Sequence, residues 1–299
     1  MPKFRPIIIL AVLALGLAAC AQPTPIQPTA RSVTNTPIFL ALPTETPTAT
    51  ATFAPTSTAT PTLTATPTLP PLPGLTLYDD FSGETLDEQL WRAADPKIAA
   101  RFEYGLQAGA LVIKKTATGE SSFFDLLLPA ARKLNREETI AFEAQMMAPA
   151  QREGKMSFAA IRLSTRVPAP QAGEYDSQII QCSLAGLVRP RPYVNCTVVT
   201  LQEGQGISQY ATKEYPVQYD TWYALRIRID ASPEGSLYPG RVHFYLDRLE
   251  IGSYLSQDTS PADAPAETDL FFTPHLTVWV EEDTPVEVWA DNVAVDILD

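Results

Sequence analysis

Five carboxylates fall within the fifteen residues LYDDFSGETLDEQLW: Asp79, Asp80, Glu84, Asp87 and Glu88. Acids at that density can serve as a general acid–base pair, as oxygen ligands to a hard cation, or as turn and cap residues that accept backbone hydrogens. The other ionisable candidates are the two histidines, His243 and His275. They lie on separate apolar runs with no third ligand close in sequence, so surface imidazoles are expected rather than a catalytic base. In EED at 281–283, Glu281 and Glu282 fall on opposite faces of any strand, which suits a solvated strand end. The chain has no Gly-x-Ser-x-Gly, no phosphate-cradling glycine loop and no His-Glu-x-x-His.

The elements that must position these groups are short strands. After Gly74 nearly every apolar run alternates with period two, from ALVIKK and SFFDLLL through TIAFEAQMM, MSFAAIRLS, DSQIIQCSL and VNCTVVTL to WYALRIRID, RVHFYLD, HLTVWVE and VEVWADNVAVDIL. Turns rich in Gly, Pro, Asp and Ser separate them, the pattern of an antiparallel sandwich. One or two helical turns are expected only in Gly83–Leu90. In WYALRIRID, Tyr223, Leu225, Ile227 and Ile229 share one face and Trp222, Arg226, Arg228 and Asp230 the other. Val242, Phe244 and Leu246 oppose His243, Tyr245 and Asp247. Leu276, Val278 and Val280 oppose His275, Thr277, Trp279 and Glu281. Each strand thus offers one dry face and one polar face carrying an aromatic ring, and two sheets are expected to bury the dry faces together.

Three stretches carry a resemblance. YDDFSGETLDEQLW resembles the opening of concanavalin A-like lectin and glucanase jelly rolls, WYALRIRID with GRVHFYLDRLEIG resembles their central hairpin, and VWADNVAVDI their closing strand. The fold class implied is all-β, an antiparallel β-sandwich of concanavalin A-like jelly-roll type over residues 75–299, akin to LamG and glycoside hydrolase family 16 domains. The chain departs from the pattern at Asp247-Arg248, where Asp-Gly or Asn-Gly is usual, so a looser turn or one of another type is expected there. The resemblance implies that the opening strand pairs with the closing one, bringing Asp79 and Asp80 near Asp291 and Asn292. A structural calcium at Asp80 and Asp291 is then an option; hydrogen-bonded turns and caps are the favoured alternative, and no other cofactor is expected.

Relatives that are retaining glycosidases carry Glu-x-Asp-x-Glu, alternate residues that place two carboxyls about 5–5.5 Å apart across a sugar bond. The nearest stretch here supplies Glu174 and Asp176, then Gln178, or Ile179 at the longer spacing, and neither can protonate a leaving group. No catalytic residues are assigned. Sugars are also held without chemistry, by rings stacked on their apolar faces and by Arg, Gln or carboxylates on their hydroxyls. Trp279, Tyr245, Arg226, Arg228 and Gln178 are the right residue types on the expected polar faces. Non-catalytic carbohydrate binding is the leading expectation, of a polysaccharide or cell-wall glycan. A divergent glycoside hydrolase is the alternative, and an interaction domain without a sugar ligand the third.

The rest of the chain is an address and a spacer. Lys3 and Arg5 precede the apolar IIILAVLALGL, and Leu17-Ala18-Ala19-Cys20 resembles a bacterial lipobox. Residues 1–19 are therefore expected to be a lipoprotein signal peptide, Cys20 the lipidated residue, and the outer face of a bacterial membrane the location. Between Ala21 and Gly74 there are 12 Pro and 16 Thr with Arg31 and Glu45 as the only charges, so 20–74 form a stalk that cannot bury a core. Beyond it stand 19 basic and 33 acidic residues, net charge −14, which argues against nucleic acid as a partner. Cys182 and Cys196 are left as an even pair on two neighbouring apolar runs. A cross-strand disulfide is expected in an exported domain, with two buried thiols as the alternative.

Overall fold

The computed structural model describes residues 75–298, apart from 117–118, 129–133, 151–155, 170–174, 188–190, 203, 233–235, 237 and 257–270. The signal peptide, Cys20 and the stalk lie outside the described residues, as does Glu174.

The alternating runs become strands. In chain order they are β1 (Leu75–Asp79), β2 (Arg92–Ala93), β3 (Glu103–Gln107), β4 (Ala110–Lys115), β5 (Ser122–Leu127), β6 (Leu134–Asn135), β7 (Thr139–Met147), β8 (Ser157–Pro168) and β9 (Tyr175–Ala185). Then follow β10 (Tyr193–Gln202), β11 (Gln205–Ala211), β12 (Tyr215–Pro216), β13 (Tyr223–Ile229), β14 (Arg241–Leu246), β15 (Leu249–Leu255), β16 (Phe271–Val280) and β17 (Val286–Leu298). They pair antiparallel into two sheets. The first runs β15-β14-β13-β7-β17-β4-β3 with β1 added to β17, and the second runs β11-β10-β9-β8-β16-β5-β2 with β12 on β10 and β6 on β16. Along the two sheets half of the adjacent pairs join strands that are not consecutive in the chain, among them β7–β17, β4–β17, β8–β16 and β5–β16, the Greek-key habit of sandwiches.

Inward-pointing residues of both sheets interlock into one core. Phe142, Ile140, Leu225, Ile227 and Val295 of the first sheet meet Phe124, Ile161, Ile180, Val198 and Val278 of the second, all at 1% exposure or less. Tyr210 on β11 stacks on Phe244 of β14, ring centroids 5.9 Å apart, and ties the edge of one sheet to the other. Gly252 makes room for that contact, because a Cβ there would strike the Tyr210 hydroxyl. Opening and closing strands do pair, Asp79 opposite Val293.

Among the described residues the single short helix, α1 (Pro96–Ala99), is not where the acid-rich turn predicted it. Asp95 caps it by accepting from Lys97 N at 2.8 Å, and Pro96 supplies a first-turn φ with no donor to waste. Gly83–Leu90 holds only a turn, closed by Trp91 N donating to Asp87 O at 2.8 Å. The β14–β15 turn also differs from expectation. It is a tight two-residue loop with Leu246 opposite Leu249, and both Asp247 (φ 48°) and Arg248 (φ 69°) are left-handed. Asp247 holds it from both sides, its N donating to Ala224 O and its Oδ1 accepting from Ala224 N, each at 2.9 Å. Arg248 therefore carries strain that glycine would not. Arg248→Gly is expected to stabilise the domain by about 0.5 kcal/mol, the strain relieved less the extra freedom of the unfolded chain. A urea midpoint that rises at unchanged slope checks it.

Candidate functional site

β16 is central to the second sheet, between β8 and β5, and the register sets side chains from four strands in rows on the sheet's outer face. One row is aromatic: Phe123, Trp279 and Phe158, in that order across β5, β16 and β8. Trp279 stacks on Phe158 at 5.6 Å and 23°, and Phe158 meets Phe123 edge-on at 6.0 Å. Phe123 is exposed, whereas Trp279 and Phe158 are half-buried.

The next rows are polar. Asp125, Thr277, Ala160 and Ser183 lie side by side, followed by Leu127, His275, Arg162 and Gln181. Thr277 donates its hydroxyl to Asp125 Oδ1. Arg162 Nη1 lies 3.5 Å from Asp125, and its guanidinium covers the Phe123 ring at 5.3 Å. His275 Nε2 is 2.7 Å from Ser164 Oγ, while Nδ1 stands 3.9 Å from Asp125 Oδ1 and has no hydrogen-bond partner. The Arg162 Nε and Thr197 Oγ1 atoms are likewise buried without one. Burial holds the His275 pKa down to about 4, with Arg162 reinforcing and Asp125 opposing, so the ring is neutral at pH 7. Burial also lowers the Arg162 pKa, which Asp125 partly offsets.

This face is drier than its sequence implied. His275 is 8% exposed and Thr277 fully buried, so neither is a surface group. Arg162, Asp125, Ser164, Phe123 and Phe158 were not among the sequence candidates. The alternation of MSFAAIRLS, which sets Phe158, Ala160, Arg162 and Ser164 on one face, was the available signal.

The sequence candidates do not form one site. Trp279 belongs to the second sheet, whereas Arg226, Arg228 and Tyr245 lie on the outer face of the first. There they pack against aromatic and acidic neighbours, with Arg226 Nε buried without a hydrogen-bond partner. The Arg226 guanidinium lies 5.7 Å over Tyr245 and its residue stands opposite Glu143, while Arg228 Nε pairs with Asp230 at 3.0 Å. Burial raises the Glu143 pKa, and Arg226 and Arg248 pull it back. His243 bridges Asp230 and Glu250, each at 3.2 Å.

Gln178 is on neither outer face. It shares parity with Ile180 and Cys182, is 3% exposed, and sits between Thr165 and Thr200, both buried. The alternation that presents carboxyls to a cleft in a glycosidase here turns Asp176 and Gln178 toward the interior. Ile179 takes the outward position opposite Ser164.

The opening acids make turns. Asp79 accepts from Phe81 N at 2.8 Å and from Trp91 Nε1 at 2.7 Å, Asp80 from Ser82 N at 3.0 Å, and Asp87 from Gln89 N at 2.8 Å. Asp291 and Asn292 do come near, Tyr78 donating its hydroxyl to Asn292 Oδ1. Burial, with Asp80 and Asp79 adding to it against a bond from Asn292 N, pushes the Asp291 pKa up to about 6. Among the described residues no three His, Cys, Asp or Glu side chains converge as metal ligands. Asp80 and Asp291 by themselves fall short of the six to eight oxygens that calcium takes.

Two antiparallel sheets, the pairing of first and last strands and the central β13–β14 hairpin together define a β-sandwich of concanavalin A-like jelly-roll fold. No protein-family model and no curated protein matches the chain. Among solved structures, the laminarinase from Flavobacterium sp. UMI-01 aligns with a TM-score of 0.51 at 15% identity, covering 74% of this chain and 99% of that one. A structure from work on endo-acting O-glycanases, which prominent members of the human gut microbiota express to initiate mucin breakdown, aligns at 0.50 and 15%, over 75% and 100%. At such identities the likeness is one of fold.

Proposed function

We propose that the chain is a bacterial surface lipoprotein, anchored through Cys20, whose β-sandwich binds carbohydrate on the outer face of its second sheet. The observation that carries the binding is the aromatic row Phe123–Trp279–Phe158 lying against the Asp125–Arg162–His275 band. Rings give a sugar's apolar face a platform, and the neighbouring polar groups supply bonds to its hydroxyls. The two structural neighbours, a laminarinase and a structure from work on O-glycanases, support a glycan as the partner class. Net charge −14 beyond the stalk favours a neutral glycan over an anionic one.

Anchor, stalk and location rest on the lipobox-like LAAC and the Pro/Thr-rich stretch. The test is a polysaccharide panel scored for bound full-length protein, wild type beside Trp279→Ala. Removing the central ring is expected to weaken binding at least about 10-fold, the worth of one stacked ring, with the circular dichroism spectrum unchanged. No binding to wall, plant or microbial glycans by the wild type would overturn the reading. Release of reducing ends from the same panel would favour a glycoside hydrolase instead.

A further inference from the structure

Beside the aromatic row, the Ser164 hydroxyl, the His275 imidazole and the Asp125 carboxylate stand in line. Ser164 Oγ is 2.7 Å from Nε2, and the far ring nitrogen, Nδ1, is 3.9 Å from Asp125 Oδ1. That is the order of contacts in a nucleophile–base–acid array, with the second contact open by about 1 Å relative to a hydrogen bond. His275 is 8% exposed and its Nδ1 has no hydrogen-bond partner. Arg162, two residues from Ser164 on the same face of β8 and directly opposite His275, holds a buried Nε without a partner. Across the next strand boundary Ser164 faces Ile179, an outward-pointing half-buried apolar side chain, with Val199 opposite Ile179 in turn. A glycosidase acid would occupy the Ile179 position at the longer motif spacing. The chain puts an apolar floor there and sets its Ser–His pair one strand away.

We propose that this array is a serine esterase site acting on short O-acyl esters carried by the bound glycan, which rests on the carbohydrate reading above. Ser164 Oγ adds to the ester carbonyl carbon as its proton passes to His275 Nε2. The Arg162 guanidinium supplies positive charge beside the oxyanion, and the acyl group lies toward Ile179 and Val199. The acyl–oxygen bond to the sugar then breaks, and the sugar hydroxyl leaves with the proton from Nε2. Water, giving its proton to the same nitrogen, attacks the acyl-serine and releases the carboxylic acid and free Ser164. No oxidant, metal or second substrate is needed. Asp125 is a positioning residue: the imidazolium formed on the first step draws it across the 3.9 Å gap.

The experiment follows hydrolysis of 4-nitrophenyl acetate and butyrate by the full-length protein, acetate release from an O-acetylated xylan, and the intact mass after a fluorophosphonate probe. Wild type is expected to hydrolyse the nitrophenyl esters and take up one phosphonyl group, mapped to Ser164 by peptide mass. Ser164→Ala is expected to lose at least about 100-fold in rate and all labelling, and Ser164→Cys to keep a fraction of the activity. The rate should fall with acid through about pH 4, where His275, facing Asp125 and Arg162, takes a proton. Asp125→Asn should lower kcat more than it changes KM. Equal hydrolysis by wild type and Ser164→Ala, or no hydrolysis and no labelling by wild type, overturns the esterase. If nitrophenyl ester hydrolysis is lost with Ser164 while no glycan on the panel binds, the esterase stands and the carbohydrate reading fails.

Discussion

The Cys182→Ala/Cys196→Ala double variant unfolds about 6–12 °C below wild type, a loss of roughly 3 kcal/mol. The two cysteines form a disulfide between directly opposed residues of β9 and β10, with Cα atoms 4.1 Å apart. Cys196 spends its backbone on the other side, its N donating to Thr212 Oγ1 at 3.0 Å and its O accepting from Thr212 N at 2.9 Å. The Cys182–Cys196 pair therefore occupies the narrow, non-hydrogen-bonded kind of site where side chains approach most closely. The bridge spans 14 residues, a loop whose closure in the unfolded chain is worth about 3 kcal/mol. Both sulfurs also lie in the core at 0% exposure, so alanine adds a small packing loss. Scanning calorimetry of the variant checks the number. A second readout separates burial from bonding: a thiol reductant should not act on the native protein below its melting range, because no sulfur is exposed.

The sandwich was legible because alternation is local. WYALRIRID and RVHFYLD show it unaided, and Leu225, Ile227, Ile229, Val242 and Phe244 all point inward as their spacing requires. The candidate site was not legible in the same way, because membership of a sheet is set by partners far off in sequence. Trp279 and Tyr245 look alike on paper, yet β16 lies between β8 and β5 while β14 lies between β13 and β15. Nothing within either strand says so. Gln178 is a different kind of miss. It lies four residues before Cys182 and so on the same face, so the burial of that half-cystine was the available signal that Gln178 points inward. His275 was misread because its outer-face position suggested solvent, whereas packing across Ser164, Arg162 and Asp125 removes water from it. The helix was signalled by Asp95-Pro96, a cap followed by a first-turn proline, rather than by the denser acids before it.

Acidification acts on His275 and Asp291 in opposite senses, and two single variants separate them. The His275 pKa is about 4 in the fold against 6.5 for the free side chain. Between those values the unfolded chain binds more protons, so this residue's contribution is complete above about pH 6.5 and is lost as the pH falls toward 4. Asp291 has a folded pKa of about 6 against 3.8. Here the folded chain binds more protons, so the protonated carboxyl is favourable below about pH 3.8 and the advantage is lost as the pH rises through 6. Each shift corresponds to about 2–3 kcal/mol, so in wild type the two slopes largely cancel between pH 4 and 6. His275→Gln should therefore gain stability relative to wild type by up to about 3 kcal/mol as the pH falls from 6.5 to 4. Asp291→Asn, whose amide oxygen can still accept from Asn292 N, should gain by up to about 2–3 kcal/mol as the pH rises from 4 to 6.5. Urea unfolding of the three proteins across this range measures both differences, and the titration of the many shared carboxylates drops out of each. Parallel curves for His275→Gln and wild type would mean that water reaches the ring and that the outer face of the second sheet is wetter than its packing implies. Parallel curves for Asp291→Asn and wild type would mean that water reaches the carboxyl beside Asp79 and Asp80 and that it titrates in the fold as in the unfolded chain.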